Sequence, residues 1–157
     1  MIRPTVPSET AHLVQLASGT GVFKPLEIVA LQEVLDDYFE GGQELGHRAV
    51  TFEQAGAVLG FAYYAPAAMT DRTWYLYWIF VGKQTQARGI GAKLLRYVEN
   101  DIRQSGGRLF LIETSSLPHY DLTRAFYKKH GYEEHTRICD FYADGDDMVI
   151  FRKRLSC

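Results

Sequence analysis

The spacing of hydrophobic residues changes along the chain, and its first third has a mainly helical pattern. Ile2–Val6 is predicted to be a short strand, after which Ser8 is a suitable N-cap for a helix that ends near Ser18. Pro25 stands where a second helix can begin, because proline is tolerated in the first helical turn. Apolar residues then recur at intervals of three and four as far as Tyr38, which predicts a second amphipathic helix.

Beyond Arg48 the hydrophobic period becomes that of β-strands. Residues 49–52 and 58–65 alternate on either side of a short turn that contains a glycine, and this pattern predicts an antiparallel hairpin. Thr73–Val81 follows as a third strand, in which nearly every residue is apolar or aromatic. Such a run is typical of a strand that is buried on both faces.

The rest of the chain alternates between helical and strand-like patterns. Ile90, Leu94, Val98 and Ile102 recur every four residues and predict an amphipathic helix. The remaining predicted elements are a strand at 109–112, a helix at 121–130 and two strands near 133–142 and 148–155. The order β-α-α-β-β-β-α-β-α-β-β predicts a mixed α/β fold with a mostly antiparallel sheet. Its central strand–helix–strand unit should cross over with right-handed geometry.

Length and composition exclude several classes of protein. A chain of 157 residues is expected to form a single domain over residues 1–157. Its 46% hydrophobic and 23% charged residues are typical of a globular protein, and no apolar run is long enough to cross a membrane. A net charge of −2 provides no global basic field, so neither nucleic acid nor a membrane is an expected partner. Two cysteines and the lack of a signal-like amino terminus predict a reduced, cytoplasmic protein.

The segment between the aromatic strand and the following helix is a candidate anion site. The first amides of a helix have no intrahelical partners, and glycines at 89 and 91 would let a pyrophosphate approach the backbone closely. Lys83, Arg88, Lys93 and Arg96 give this stretch a local charge of +4, with no acidic residue among them. A helix start with glycines for tight packing explains the loop equally well, so the loop alone decides nothing.

Two motifs together are more specific than the loop. Gln86-x-x-Gly89-x-Gly91 follows a strand that ends in Phe80-Val81, and the string from Thr123 to Tyr132 places a Phe-Tyr pair before a glycine and an aromatic residue. This combination resembles the GNAT superfamily of N-acetyltransferases over essentially the whole chain. The resemblance implies a seven-stranded mixed sheet flanked by helices. It also implies acetyl-CoA as co-substrate, no metal, and direct acetyl transfer to a primary amine.

The resemblance also implies which residues would bind the co-substrate. A bulge in the fourth strand would separate it from the fifth, and the pantetheine arm would lie in the opening. Backbone groups of Phe80 and Val81 would pair with that arm, while their side chains are expected to be core. The pyrophosphate would be held by the segment Gln86, Ala87, Arg88, Gly89, Ile90, Gly91 and Ala92.

Two residues are candidates for proton transfer. Tyr127 matches the family tyrosine that protonates the departing thiolate, and a phenol is neutral at pH 7 and able to do so. Packing of the helix onto the sheet is the alternative role for this ring. Glu113 resembles the glutamate of the branch that acetylates protein amino termini, and partial burial would raise its pKa towards that of a useful base. A structural carboxylate paired with arginine, or a base that is a bound water, remain alternatives.

The sequence departs from the family pattern on the acceptor side. Tyr75 stands where many relatives carry a carboxylate, and Tyr120 stands where many carry asparagine. The spacing from Glu113 to Tyr127, fourteen positions, is longer than in the amino-terminal branch. Aromatic residues make up 13% of the chain, which predicts an acceptor site lined by rings. Its candidate residues are Tyr75, Tyr77, Tyr120 and Tyr142.

The identity of the acceptor stays open at this stage. A small amine and a peptide or protein amine are both compatible with the motifs, as is an acyl group other than acetyl. The acidic stretch 140–147 is either a solvated β-turn or an acidic rim that attracts a cationic amine. A non-catalytic domain that senses acyl-CoA or docks a partner is the alternative function, and association as a homodimer is left open.

Overall fold

The structure is a computed structural model, and it describes residues 1–86 and 88–156. The predicted element order is confirmed along the whole chain. The strands and helices are β1 (Ile2–Pro4), α1 (Thr10–Gly19), α2 (Pro25–Glu40), β2 (Arg48–Gln54), β3 (Ala57–Pro66), β4 (Thr73–Val81), α3 (Ile90–Gln104), β5 (Leu109–Ser115), α4 (Asp121–Lys129), β6 (Glu133–Ala143) and β7 (Asp146–Arg154).

The amino-terminal boundaries differ from the prediction. β1 ends at Pro4, and Ser8 lies inside a short 3-10 turn that precedes α1, so Ser8 is not its N-cap. The Glu9 carboxylate takes the capping role instead and accepts a hydrogen bond of 3.1 Å from the backbone N–H of Val6. It also pairs with Arg3. An ion pair between Arg3 of β1 and Glu9 therefore fixes the start of α1. Short-range sequence patterns do not reveal such a pair.

The seven strands form one sheet in the order β1-β2-β3-β4-β5-β7-β6. All the adjacent pairs among them are antiparallel except β4 and β5, which are parallel and joined through α3. This arrangement confirms the mixed, mostly antiparallel sheet with one crossover unit. β4 is the central strand, so its edges decide what the middle of the sheet can bind.

β4 and β5 are paired over only part of their length. The parallel register runs from Thr73 opposite Leu109 to Leu76 opposite Ile112, and no further. On the other edge of β4, Tyr63 pairs with Trp78 but its neighbour Tyr64 pairs with Leu76. Tyr77 is thus an extra residue that forms a β-bulge, and bulges bend the strand that carries them. The remainder of β4 turns away from β5 and leaves a cleft between the two strands.

The sheet carries a hydrophobic core on each face. The first core lies under α3 and α4, and the apolar stripe of α3 supplies Ile90, Leu94, Val98 and Ile102 to it. The second core lies under α1 and α2, with Leu13, Leu31 and Leu35 fully buried. Among the described residues, no helix has the length and hydropathy that crossing a bilayer requires.

One sequence expectation about β4 is wrong in part. The strand was expected to be buried on both faces, and Thr73, Leu76 and Phe80 are indeed buried. Tyr77, however, is 53% exposed, because the bulge places it outside the paired register. The exposed ring marks the point where the cleft begins.

Candidate active site

The cleft offers unpaired backbone on the β4 side. The N–H of Gly82 donates to the carbonyl of Leu59 on β3, and Phe80, two residues earlier, pairs with Phe61 of the same strand. Backbone groups of alternate residues in a strand point to opposite edges, so those of Val81 point towards the cleft. This geometry favours Val81 over Phe80 as a backbone partner for a bound extended group. The Val81 carbonyl accepts a hydrogen bond from the Gln86 side chain at 3.3 Å.

The amino terminus of α3 lies next to this open edge. Gly89 adopts a left-handed conformation with a φ of 77°, which favours glycine, and its backbone carbonyl accepts the N–H of Lys93. The preceding amides of Ile90, Gly91 and Ala92 therefore lie in the first turn, where helices lack intrahelical acceptors. Ala87, which belongs to the same predicted segment, lies outside the described residues.

Glycine at 91 allows α3 and α4 to meet. A Cβ on Gly91 would stand 3.5 Å from the Phe126 ring of α4, which is ordinary van der Waals contact. Phe126 also packs against His130, with ring centroids 4.5 Å apart. The helix that carries Tyr127 is thereby held against the turn whose amides are free, and Arg88 lies exposed beside it.

Tyr127 faces the sheet from α4. Its ring packs against Phe151 of β7 and against Tyr132, with centroids 5.6 and 5.9 Å apart. Burial raises the pKa of the phenol, and the neighbouring Tyr120 raises it further. The hydroxyl makes no hydrogen bond to any residue that the structure describes. The packing role predicted for this ring is thus confirmed, while its role as a proton donor stays a prediction.

Glu113 lies on the opposite side of β5. Successive side chains of a strand point to opposite faces, and Ile112 is buried in the core that contains Tyr127. Glu113 therefore faces away from that core, at an exposed position past the last pair between β4 and β5. Partial burial raises the pKa of its carboxyl. It forms no ion pair with the described residues, so pairing with an arginine, the structural alternative, is not found there.

The structure separates the aromatic residues into core and cleft. Tyr63, Tyr64, Trp74 and Phe80 are buried in the two cores. By contrast, the rings of Tyr75 and Tyr77 lie with their centroids 5.8 Å apart, and Tyr77, the central residue of β4, is exposed. Burial raises the pKa of the Tyr77 phenol, with smaller contributions from Tyr75 and Glu113. These two predicted acceptor residues are therefore neighbours of the candidate base.

Tyr120 and Tyr142, the other predicted acceptor residues, approach the same region from different elements. Burial raises the pKa of Tyr142 to about 12, and the charges of Glu113, Asp146 and Glu27 add to the effect. Burial also raises the pKa of Tyr120, with contributions from Glu27, Tyr142 and Asp146. The phenols of α4 and β6 thus lie within electrostatic reach of the same carboxylates.

Glu27 is a residue that the sequence analysis missed. In the sequence it occupies the first turn of α2, where a carboxylate is common, and its side chain does accept the Lys24 backbone N–H at 2.9 Å. The sequence around Glu27 therefore indicated only the start of a helix and no part in a binding site. Its proximity to Tyr120 and Tyr142 arises because α2, α4 and the β6–β7 hairpin meet at one end of the sheet.

The acidic stretch 140–147 forms the predicted turn, while its role in attracting an amine stays a prediction. Asp140 and Asp147 build the turn, since the Asp140 carboxylate accepts the Gly145 N–H and the Asp147 carboxylate accepts the Asp140 N–H. Asp146 is buried instead, accepts a hydrogen bond from the Ser115 hydroxyl and lies 3.7 Å from the Lys24 ammonium. It therefore contributes charge to the interior of the site rather than to a solvated loop.

The arrangement can perform proton transfer on two sides of an opening. A phenol with a raised pKa lies in the core on the α3–α4 side of the sheet, and a carboxylate with a raised pKa is exposed on the other side. Free backbone amides beside glycines can hold a phosphate-bearing group. Within residues 1–86 and 88–156, His, Cys, Asp and Glu side chains form no group of three that could hold a metal ion.

Comparisons with known proteins agree with this geometry. Residues 46–134 match the family described as acetyltransferase (GNAT) domain. A crystal structure of a GNAT-family protein from Desulfovibrio desulfuricans is 33% identical and covers 99% of both chains, with a TM-score of 0.94. A search of curated proteins returned no match.

Two more distant structures share the fold and contain CoA ligands. An aminoglycoside 6′-N-acetyltransferase complexed with coenzyme A is 17% identical, covers 100% of this chain and 98% of its own, and has a TM-score of 0.80. A Salmonella typhimurium protein with acetyl-CoA is also 17% identical, covers 100% and 94%, and has a TM-score of 0.81. At this identity they establish the fold and nothing more.

Proposed function

The chain belongs to the GNAT family of acetyltransferases, and on that premise we propose that it transfers the acetyl group of acetyl-CoA to a primary amine. The observation that carries the proposal is the opening between β4 and β5, with Tyr127 on one face of β5 and Glu113 on the other. Two substrates can reach this opening from opposite faces of the sheet. Direct transfer between them needs no acyl-enzyme.

The co-substrate site is supported by free backbone groups. The amides of the α3 amino terminus, Ile90 to Ala92, would hold the pyrophosphate, because the glycines there let it approach and the helix dipole favours an anion. Val81 would pair with the extended arm, as an added strand does at a sheet edge. When bound, acetyl-CoA supplies an activated acetyl group and a thiolate as leaving group.

Tyr127 and Glu113 divide the proton transfers between them. Glu113 takes the proton from the attacking amine, whose nitrogen forms the new bond to the acetyl carbon as the carbon–sulfur bond breaks. Tyr127 gives its proton to the sulfur and regains one from solvent, while Glu113 releases the amine proton to solvent, so the protein ends unchanged. The raised pKa of the phenol keeps it protonated at neutral pH, and the raised pKa of the carboxyl makes its ionised form a stronger base. Most of the acceleration would come from holding the two substrates in line.

The acceptor is proposed to be an amine with a second positive charge. Three carboxylates raise the pKa values of the tyrosines at the site, namely Glu27, Glu113 and Asp146. The cation beside these carboxylates is Lys24, whose ammonium lies 3.7 Å from Asp146. Ammonium groups are attracted to such a field and to the faces of tyrosine rings. Small diamines and lysine-rich peptides share this chemistry. A cytoplasmic location and homodimer formation both stay predictions.

Replacing Tyr127 by phenylalanine tests the proton donor. We expect kcat to fall by about 10²–10⁴, because the departing thiolate then lacks a positioned acid. Stability should change little, since the hydroxyl has no hydrogen bond to lose among the described residues. Thiol release from acetyl-CoA, followed by mass spectrometry of the amine product, measures the effect. The matched control is Tyr38→Phe, which alters a buried phenol in the other core. Near-normal turnover by Tyr127→Phe at every pH would reject Tyr127 as the proton donor.

Replacing Glu113 by glutamine tests the base. At low pH the amine carries a proton that must be removed, whereas above the pKa of an alkyl ammonium, about 10.4, it is largely neutral without help. We therefore expect the loss of kcat/KM to be largest near pH 6 and to shrink as the pH rises. Glu44→Gln is the control for the charge change alone.

The same Glu113 variant should also be more stable than the parent at neutral pH. Partial burial raises the folded-state pKa of this carboxyl, so its charged form costs stability above the unfolded value. Below about pH 4 the carboxyl is protonated in both states and the advantage of glutamine disappears.

The kinetic test of Glu113→Gln has its own contradicting outcome. A loss of kcat/KM that does not depend on pH, or a pH profile of kcat/KM equal to that of the parent, would assign the role of base to a bound water.

The acceptor charge is tested by comparing 1-aminobutane with 1,4-diaminobutane. We expect the diamine to have the higher kcat/KM, and Glu27→Gln to reduce that preference by about two- to fivefold, as for a partly exposed ion pair. Glu33→Gln removes the same charge from the same helix at an exposed position and should leave the preference intact. Equal rates for the two amines in the parent enzyme would contradict the proposed charge recognition while leaving acetyl transfer in place.

A further inference from the structure

A buried hydroxyl at the end of β5 has no partner. Thr114 is 6% exposed, and its Oγ1 is the one buried side-chain nitrogen or oxygen of the described chain without a hydrogen bond. Buried polar groups are nearly always hydrogen-bonded, because leaving one unpaired costs free energy. Valine has the same shape and would avoid that cost, so a hydroxyl at this position requires an explanation.

The position of Thr114 in the sheet places it beside the cleft. On one edge β5 is paired with β7, where Thr114 lies opposite Val149. On the other edge the pairing with β4 ends at Ile112, two residues earlier. The strand that would otherwise cover this edge has turned away at the Tyr77 bulge. Thr114 thus lies two residues beyond the last pair between β4 and β5, with its Oγ1 closed to solvent in the free protein.

The side chain of Thr114 points to the face that carries Tyr127. Phe110 and Ile112, which alternate with it along β5, are buried in the core under α3 and α4. Tyr127 belongs to that core and packs on Phe151, the strand partner of Ile112. Two hydroxyls without partners among the described residues, those of Thr114 and Tyr127, therefore lie on the same face near the same end of β5.

We propose that Thr114 is a binding residue for the acyl-CoA co-substrate and that its hydroxyl hydrogen-bonds an amide group of the pantetheine arm. The proposal rests on the proposed function, because it takes the cleft to hold that arm. The arm carries amide N–H and C=O groups, and a threonine hydroxyl can donate to one or accept from the other. Binding of the arm would satisfy the hydroxyl that the free protein leaves unpaired.

The test uses Thr114→Val and measures two quantities that should move in opposite directions. We expect the midpoint of thermal unfolding of the free protein to be unchanged or higher, because an unpaired hydroxyl is replaced by a methyl of the same shape. The dissociation constant for CoA, from titration calorimetry, should rise about five- to tenfold, the loss of one hydrogen bond. The adenosine bisphosphate portion of CoA, which lacks the arm, should bind both proteins equally.

Two further variants separate binding from structure. Thr51→Val removes a buried hydroxyl that is bonded to Thr5 and Glu9, so it should lower the unfolding midpoint and leave the CoA dissociation constant unchanged. Thr114→Ser keeps the hydroxyl, so its dissociation constant should stay within about twofold of the parent.

Equal affinity of Thr114→Val and the parent for CoA would overturn the proposal about Thr114 and leave the proposed function standing. So would a loss of affinity for the adenosine bisphosphate as large as that for CoA, or a serine variant as weak as the valine variant. Failure of the parent protein itself to bind CoA would overturn the proposed function and this inference together.

Discussion

The local loss of pairing between β4 and β5 is the constraint on which the site depends. Four residues of each strand pair in parallel, and the bulge at Tyr77 then turns β4 away. Backbone groups at the edge of a central strand are normally covered by a neighbour, and leaving them unpaired in a protein interior is costly. Here the opening frees the edge of Val81 and leaves Glu113 exposed on one face of β5 while the other face stays buried, so one irregularity creates a binding edge in the middle of the sheet.

The elements packed on the two sides of the sheet give the opening two chemically different sides. On the α3–α4 side, Gly91 lies beside the Phe126 ring, so the free helix amides stand next to the helix that carries Tyr127. On the other side, the approach of Lys24 to Asp146 links α2 to the β6–β7 hairpin around the tyrosines. The first side is suited to a phosphate-bearing group and the second to a cation. An enzyme that transfers a group between two such substrates must hold them in line, and the sheet between them fixes their relative positions.

Much of the fold followed from the sequence, because the hydrophobic period changes clearly at each boundary and glycines mark most turns. Tyr127 and the α3 amino terminus could also be placed, since both belong to local motifs. The family resemblance implied a bulge in the fourth strand, and the structure confirms it. Its position at Tyr77 could not be predicted, because it depends on the register between two strands. The proposed role of Glu27 depends on elements that come close only in the folded chain. The unpaired hydroxyl of Thr114 is likewise a property of its surroundings and not of its neighbours in sequence.

Hydrogen exchange of individual backbone amides, measured by NMR with and without CoA, examines the open edge most directly. If the cleft and the α3 amino terminus bind the co-substrate, the amides of Val81 and of Ile90 to Ala92 should become protected on addition of CoA. Amides of the edge strand β6, remote from the proposed pyrophosphate site, should exchange at unchanged rates. Saturating CoA that leaves Val81 and the α3 amides unprotected, while protecting another region, would contradict the assignment of the cleft.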